Sequence, residues 1–231
     1  MTNESPAVSS FPVPSDVPLH IASGLARLGL GERLRRGADR LMALLLIVAF
    51  SPLMLLCLAL IRKDGGPATF AHYRVGAAGR VFRCFKFRTM CVDAERALRE
   101  ILDNDPALRE EWRRSFKLQK DPRVTAIGSW LRRTSLDELP QLLNVLRGDM
   151  ALVGPRPITL TELRLYGPAR WQYLSVLPGM TGLWQVSGRN RVTYERRVQL
   201  DDEYVKNRSI WLDLQILVRT VLVVLTRDGA S

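Results

Sequence analysis

An uncharged run of 21 residues, Leu41 to Ile61, constrains this chain more than any other feature. As an α-helix the run would be about 31 Å long, close to the thickness of about 30 Å of a bilayer's hydrocarbon core. Pro52 lies at its midpoint, where it removes a backbone hydrogen bond, and Ser51 beside it can bind the carbonyl that is freed. The run therefore predicts a membrane helix bent at Ser51-Pro52.

The charges on either side of this run leave its topology open. Five arginines lie between Gly24 and Arg40, and Arg62, Lys63 and Arg74 follow the run. Because both flanks are basic, the tendency of positive loops to stay in the cytoplasm indicates no orientation. Each half of the run is about 14–15 Å long, roughly one leaflet deep. A kinked span and a re-entrant helix that leaves by the face it entered both remain open.

The run divides the chain into three predicted parts. Residues 1–23 contain several prolines and serines and little charge, the composition of a disordered arm. Residues 24–62 comprise the arginine-rich lead-in and the membrane helix. Residues 63–231 form a membrane-associated domain.

The pattern of this domain predicts an α+β fold that is predominantly helical. Its small β element is a hairpin within Thr69–Met90, with a turn at Gly76–Gly79. The final segment, Ile210–Leu225, either lies at the membrane interface as an amphipathic helix or is buried against the domain. Helices are predicted over Asp93–Lys117 with a break at Asp105-Pro106, Leu139–Leu146, Ile158–Val176 with an interruption at Gly167-Pro168, Thr193–Lys206 and Ile210–Leu225.

Composition narrows the classes of function. Lys and Arg outnumber Asp and Glu by 34 to 23, a net charge of +11, which favours polyanionic partners such as nucleic acid, anionic lipid or phosphorylated substrates. With 3 cysteines and 2 histidines, a disulfide framework or a zinc site is disfavoured, and a metal would be an oxygen-ligated ion such as Mg²⁺. The chain has no P-loop or G-x-G-x-x-G fingerprint for nucleotide hydrolysis or dinucleotide binding.

Asp137 and Glu138 are the leading candidates for chemistry. Ser135 and Glu138 have the spacing of a capping box, which would place both carboxylates in the first turn of a helix; alternatively the helix begins near Pro140. A helix N-terminus favours a phosphate or a metal–phosphate complex. Acidic residues are also ordinary capping residues, so a purely structural role stays open.

Three basic residues are candidates for phosphate binding. Pro155 and Pro157 hold Arg156 in an extended conformation that suits bidentate binding, although a solvent-facing arginine in a rigid turn fits as well. Lys86 and Arg88 lie on one face of the second hairpin strand, where they would contact either phosphate or anionic lipid.

Two further segments have weaker signals. Gln185, Arg189 and Asn190, with Trp184, could hold a nucleotide base, but Trp184 as a core residue is the favoured interpretation. The D-x-D pattern of metal-dependent sugar transferases occurs at residues 103–105, where a helix cap explains it.

Together these segments resemble one family, the monotopic phosphoglycosyl transferases. The resemblance covers residues 36–229, and the stretch KLQKDPRVT is most similar to members that start succinoglycan-type exopolysaccharides with galactosyl phosphate. The matching motifs are KFRTM at Lys86–Met90, DPRVT at Asp121–Thr125, SLDELPQLLNVLRGDM at Ser135–Met150, VGPRP at Val153–Pro157 and PGMTGLWQVSGRN at Pro178–Asn190.

The resemblance implies transfer of a hexose 1-phosphate from a UDP-sugar to undecaprenyl phosphate, with release of UMP, at the cytoplasmic face of the bacterial inner membrane. Asp137 would be the nucleophile, Glu138 a Mg²⁺ ligand or base, and Arg156, Lys86 and Arg88 would bind phosphate. Ser51-Pro52 would make the bend of a re-entrant helix. Galactose is the first expected sugar, glucose the second and an N-acetylated sugar the third.

Alternatives of other classes remain. A non-enzymatic basic module would bind lipid or nucleic acid through the net charge alone, whereas the resemblance implies anionic membrane lipids and no nucleic acid. A glycosyl transferase using the D-x-D pattern would release UDP. The oligomeric state stays open, a homo-oligomer included.

Overall fold

The uncharged run forms part of one long helix, α1 (Leu30–Ile61). The structure, a computed structural model, describes residues 29–115, 118–188 and 191–226, so the predicted arm of residues 1–23 lies outside the described residues. Helix α1 is continuous through Pro52. The hydroxyl of Ser51 donates a hydrogen bond of 2.8 Å to the carbonyl of Val48, which would otherwise lack a partner because Pro52 has no N–H.

Helix α1 has one packed face and one exposed apolar face. Ala43, Cys57 and Ile61 are buried against the rest of the chain, so both halves of the helix contact the domain. The opposite face has leucines and a valine that are more than half exposed: Leu41, Leu45, Val48, Leu55 and Leu56. Among the described residues, α1 with its short 3₁₀ extension is the one helix long and apolar enough to cross a membrane.

The predicted hairpin is confirmed. Strands β1 (Thr69–Val75) and β2 (Val81–Phe87) pair antiparallel, with Phe70 opposite Lys86 and His72 opposite Cys84. Because side chains alternate along a strand, these four residues lie on the same face of the hairpin.

A second, parallel pair of strands positions the loop that carries Arg156. Strand β3 (Ala151–Val153) pairs with β4 (Gly179–Thr181). A side chain at Gly179 would come within 2.1 Å of the backbone nitrogen of Gly154, so the start of β4 requires glycine where it contacts the loop that leaves β3.

The helices confirm an α+β fold that is predominantly helical. They are α2 (Ala94–Asn104), α3 (Pro106–Ser115), α4 (Ala126–Thr134), α5 (Leu142–Arg147), α6 (Leu160–Leu165), α7 (Arg170–Leu174), α8 (Tyr194–Lys206) and α9 (Ile210–Thr226). The break at Asp105-Pro106 is confirmed: the carboxylate of Asp105 accepts hydrogen bonds from the N–H groups of Ala107 and Leu108, at 2.9 and 3.0 Å.

Helix α9 leaves most of its apolar surface uncovered. Ile216 is buried, whereas Ile210, Trp211, Val218 and Leu225 are more than half exposed. Of the two sequence interpretations, burial against the domain is therefore wrong for most of the helix, and its exposed side has the composition expected of a helix at a membrane interface.

Candidate active site

A cavity of about 370 Å³ lies on the face of the hairpin that carries Phe70, His72 and Lys86. Its other walls come from the end of α4, the segment after it, and the loops that follow β3 and β4. Six charged side chains line it: Arg74, Lys86, Arg132, Asp137, Glu138 and Arg156. The cavity therefore unites five predicted site residues, namely Lys86, Asp137, Glu138, Arg156 and Gln185.

Asp137 and Glu138 lie in the first turn of a 3₁₀ helix, Leu136–Gln141, which leads into α5. The predicted capping box is wrong. Ser135 has left-handed backbone angles (φ 57°, ψ 14°) and ends helix α4, with its N–H donating to the carbonyl of Arg132. An N-cap residue needs an extended backbone, so the hydroxyl of Ser135 does not cap the acidic segment.

Lys86 holds the two carboxylates together. Its ammonium lies 2.6 Å from Oε1 of Glu138 and 3.6 Å from Oδ2 of Asp137. Burial raises the pKa of Asp137, and the neighbouring charge of Glu138 raises it further, whereas Lys86 and Arg132 oppose the shift. Asp137 is therefore a poorly solvated carboxylate whose ionised form depends on nearby cations.

Arg156 reaches the cavity rather than bulk solvent. Its guanidinium lies over the ring of Trp184, 5.4 Å from the ring centroid. Trp184 is only 6% exposed, which confirms it as a core residue, although one edge lines the cavity. Gln185 lines the cavity beside it, while Arg189 and Asn190 lie outside the described residues.

The structure places Arg88 away from the cavity. Its guanidinium makes five hydrogen bonds: two to the carboxylate of Asp64 and one each to the carbonyls of Ile61, Pro67 and Met90. An arginine has five N–H donors, so none remains for a phosphate. The prediction that Arg88 binds phosphate is corrected: Arg88 fastens the end of α1 to the hairpin.

Sequence reasoning missed Arg74 and Arg132. Arg132 lies in the last turn of α4 and donates from Nε to Oγ1 of Thr89 at 2.9 Å. Arg74 lines the cavity from β1, two residues beyond His72. The two-residue alternation that placed Lys86 on this face also applies to β1 and would have found Arg74.

The D-x-D pattern takes no part in the cavity. Asp103 and Asn104 end α2 and Asp105 caps α3. None of the three is a lining residue, so the structure gives no support to a glycosyl transferase site there.

A buried carboxylate behind the cavity should make stability depend on pH. Asp201 is 2% exposed and accepts a hydrogen bond of 2.8 Å from the hydroxyl of Tyr166. Burial raises the pKa of Asp201 to about 7, although Tyr166, Arg197 and Arg156 oppose the shift. The native state therefore binds a proton that the unfolded chain has released, and stability falls as pH rises from about 4 to about 7.

We expect the thermal unfolding midpoint to be higher at pH 5.5 than at pH 8, with a contribution from Asp201 on the order of 2 kcal/mol. Asp201→Asn should flatten this dependence, because asparagine does not titrate. Asp202→Asn, a partly buried neighbour on the same helix that pairs with the exposed Lys206, should leave it unchanged. If the unfolding midpoint of Asp201→Asn depended on pH as steeply as that of the wild type, other titrating groups would be responsible for the dependence.

Known proteins match this chain along most of its length. The family described as bacterial sugar transferase matches residues 30–227. The chain belongs to this family. The match includes the acidic pair, Lys86 and Arg156, so the cavity is built from residues within the family region.

Several curated proteins are similar to this chain over most of its length. The undecaprenyl-phosphate galactose phosphotransferase of Salmonella typhimurium is 50% identical over 92% of this chain and 44% of its own length. The exopolysaccharide production protein ExoY of Sinorhizobium fredii is 49% identical over 87% of this chain and 89% of its own length. The UDP-glucose:undecaprenyl-phosphate glucose-1-phosphate transferase of Escherichia coli is 38% identical over 84% of this chain and 40% of its own length.

The chain spans less than half the length of the Salmonella typhimurium and Escherichia coli relatives and most of the length of ExoY. The region shared with the longer relatives is therefore the one that contains the cavity and helix α1.

Proposed function

We propose that this bacterial sugar transferase moves galactose 1-phosphate from UDP-galactose to undecaprenyl phosphate and releases UMP, as the first membrane step of exopolysaccharide synthesis. One observation carries the proposal: Asp137 and Glu138 face Lys86 in a cavity lined by further arginines, within a family of sugar transferases. Two relatives that are about 50% identical have galactose in their names, which favours this sugar, and the glucose-1-phosphate transferase at 38% identity makes UDP-glucose the second candidate donor.

Asp137 is the proposed nucleophile. One carboxylate oxygen attacks the sugar-side phosphorus of the donor, an oxygen–phosphorus bond forms, and the anhydride bond breaks with its electron pair leaving on UMP. The phosphate of the lipid then attacks the same phosphorus and displaces the Asp137 carboxylate. Each step exchanges one phosphate linkage for another, so the cycle needs no other energy source.

The cations of the cavity make this attack feasible. An anionic nucleophile is repelled by an anionic diphosphate unless nearby positive charge neutralises both. Lys86 lies next to the carboxylates, and Arg156 projects into the same cavity. We assign both to phosphate binding.

The acidic pair also fits Mg²⁺. This ion is usually held by one or two carboxylates together with water and substrate phosphates, and Asp137 and Glu138 are adjacent carboxylates lining a cavity large enough for a diphosphate. When bound, Mg²⁺ would supply neutralising charge to the phosphates. Glu138, whose Oε1 accepts a hydrogen bond from the ammonium of Lys86, is assigned the role of a metal ligand or of a base.

Both ends of α1 contact the same domain. This arrangement favours a re-entrant or surface-lying helix and disfavours a transmembrane helix. Near its start, Arg35 pairs with Asp213 and Glu32 pairs with Arg208. At its end, the carbonyl of Ile61 accepts from Arg88. A transmembrane helix would place these two ends on opposite sides of the bilayer. We therefore propose that both flanks face the cytoplasm and that the exposed faces of α1 and α9 contact lipid.

Cysteine labelling tests this topology. In a variant lacking the native cysteines, single cysteines at the exposed positions Ala38 and Lys63 should react with an impermeant maleimide from the same side of the membrane. Asp103 is exposed on the domain, so a cysteine at this position shows on which side of the membrane the domain lies. All three should react in inverted vesicles and not in spheroplasts. Labelling of the Ala38 and Lys63 positions from opposite sides would establish a span.

The function is tested by nucleotide release. The purified chain in detergent is incubated with undecaprenyl phosphate and a series of UDP-sugars, and the released nucleotide is identified. Release of UMP from UDP-galactose supports the proposal. Release of UMP from UDP-glucose but not from UDP-galactose would identify glucose as the transferred sugar. Release of UDP would indicate a glycosyl transferase. No release, together with extraction from membranes by salt alone, would favour a basic lipid-binding module.

A further inference from the structure

The charged residues of the cavity form two separate groups. Asp137 lies 3.6 Å from the ammonium of Lys86, a residue that pairs with Phe70 near one end of the hairpin. Arg74 lies four residues beyond Phe70 on β1, about 13 Å away at the rise of a strand, and its guanidinium is 3.1 Å from Glu162. The cavity thus has a carboxylate end, around Asp137, and an arginine end, around Arg74.

The arginine end has more positive than negative charge among the residues that the structure describes. Glu162 pairs with both Arg74 (3.1 Å) and Arg197 (3.6 Å). Arg197 and Arg156 both lie over the ring of Trp184, at 5.1 and 5.4 Å. Two guanidiniums therefore share the carboxylate of Glu162, and a third, that of Arg156, lies over the same ring as Arg197. Burial raises the pKa of Asp201, which interacts with Arg197 and Arg156, to about 7, so its neutral form is favoured below that pH. At the carboxylate end, by contrast, Lys86 and Arg132 balance Asp137 and Glu138.

Glu162 is held rigidly in place. It is the third residue of helix α6, and its carboxylate accepts hydrogen bonds from the N–H of Thr159 at 2.8 Å and from its hydroxyl at 3.1 Å. This capping box fixes the oxygen that accepts from Arg74. Burial lowers the pKa of Arg74 from its usual range and the neighbouring charge of Arg156 lowers it further, whereas Glu162 opposes the shift. Two like charges held close together in a cavity favour a bound anion.

We propose that Arg74 binds the phosphate that leaves with the nucleoside, and that Glu162 is the positioning residue that aims its guanidinium. This inference rests on the proposed function. When an oxygen of Asp137 bonds to the sugar-side phosphorus, the breaking bond lies roughly opposite the attacking oxygen. The nucleoside-side phosphate must then point away from the carboxylate end, toward the arginine end. Arg74 stabilises the negative charge that develops on this phosphate as the anhydride bond breaks.

Binding of UMP and uridine to the full chain in detergent tests this assignment without turnover. The wild-type protein should bind UMP more tightly than uridine. Arg74→Gln should weaken UMP binding about 10- to 100-fold and leave uridine binding unchanged, since a charge-assisted hydrogen bond is lost. Arg74→Lys should recover part of the preference. Glu162→Gln, which preserves the capping box, should weaken UMP binding by a smaller factor.

Steady-state kinetics distinguish a specific role of Arg74 and Glu162 from general damage to the fold. In Arg74→Gln and Glu162→Gln, kcat/KM for the UDP-sugar should fall while kcat/KM for the lipid acceptor stays the same, because the lipid reacts only after UMP has left. Arg164→Gln, an exposed arginine on the same helix as Glu162, is the matched control and should behave like the wild type.

The outcomes distinguish the two proposals. If Arg74→Gln keeps the full preference for UMP over uridine, the role of Arg74 is refuted while the proposed function stands. If Glu162→Gln has wild-type affinity for UMP, Glu162 does not position Arg74. If the wild-type protein binds neither compound and releases no UMP from UDP-sugars, the proposed function itself fails.

Discussion

Asp137→Asn is expected to abolish sugar-phosphate transfer. The amide cannot form the proposed acyl phosphate, and loss of a covalent nucleophile typically lowers turnover by about 10⁴-fold or more. The measurement is UMP release from the UDP-sugar, with a donor labelled in its sugar-phosphate used to trap the covalent intermediate. The wild type should retain label after denaturation when the acceptor lipid is omitted, and the variant should retain none.

The same substitution should not harm the fold, which makes the result interpretable. Burial raises the pKa of Asp137 in the folded protein. At pH values above the pKa of Asp137 in the unfolded chain, ionisation of this side chain therefore destabilises the native state. Asparagine removes this cost, so the unfolding midpoint of Asp137→Asn at pH 7.5 should equal or exceed that of the wild type. Asp103→Asn, an exposed acid outside the cavity, is the control for losing a carboxylate. Normal turnover in a well-folded Asp137→Asn protein would remove Asp137 from the mechanism.

Short sequence patterns predicted two parts of the site, the hairpin face that carries Lys86 and the proline-flanked Arg156. Alternation and the glycine-bounded turn predicted the hairpin, and with it the face that carries Lys86. The prolines on either side of Arg156 limit its backbone, and Arg156 does project into the cavity. In both cases the determining interactions lie within a few residues of each other in the sequence.

Contacts outside each motif decided what the sequence left open or got wrong. Ser135 suits both the start of a helix and a left-handed turn, and it adopts the second because helix α4 ends there. Arg88 has the residue type of a phosphate ligand, but Asp64 and the end of α1 occupy its donors. Its hydrogen bonds lower the pKa of Asp64 to about 2, so this contact persists across the physiological range.

The assembly of the arginine end could not be predicted from the sequence for a related reason, although alternation along β1 indicates the face on which Arg74 lies. Arg74, Glu162 and Arg197 come from β1, α6 and α8, and no fixed spacing connects them. Each one alone resembles an ordinary surface charge in a chain whose net charge is +11. Only the tertiary fold shows that one carboxylate is shared between two of the arginines.

Lys86→Met is expected to have the next largest effect on turnover. The ammonium lies 2.6 Å from Glu138 and 3.6 Å from Asp137, so its removal leaves two carboxylates facing each other without their nearest cation. The pKa of Asp137, already raised by burial, should rise further because Lys86 opposes that shift. Loss of an electrostatic group of this kind typically lowers kcat by about 10²- to 10³-fold.

The pH dependence of Lys86→Met separates a direct role from a structural one. As pH falls, protonation of Asp137 removes the nucleophile, and in the variant this acid limb should lie at higher pH than in the wild type. Lys86→Arg should keep the limb near its original position, because a cation is retained. Lys206→Met also removes a lysine 2.6 Å from a carboxylate, that of Asp202, but on an exposed helix face, and should change neither rate nor profile. If Lys86→Met were slow and its acid limb did not move, Lys86 would act only on the substrate and not on the ionisation of Asp137.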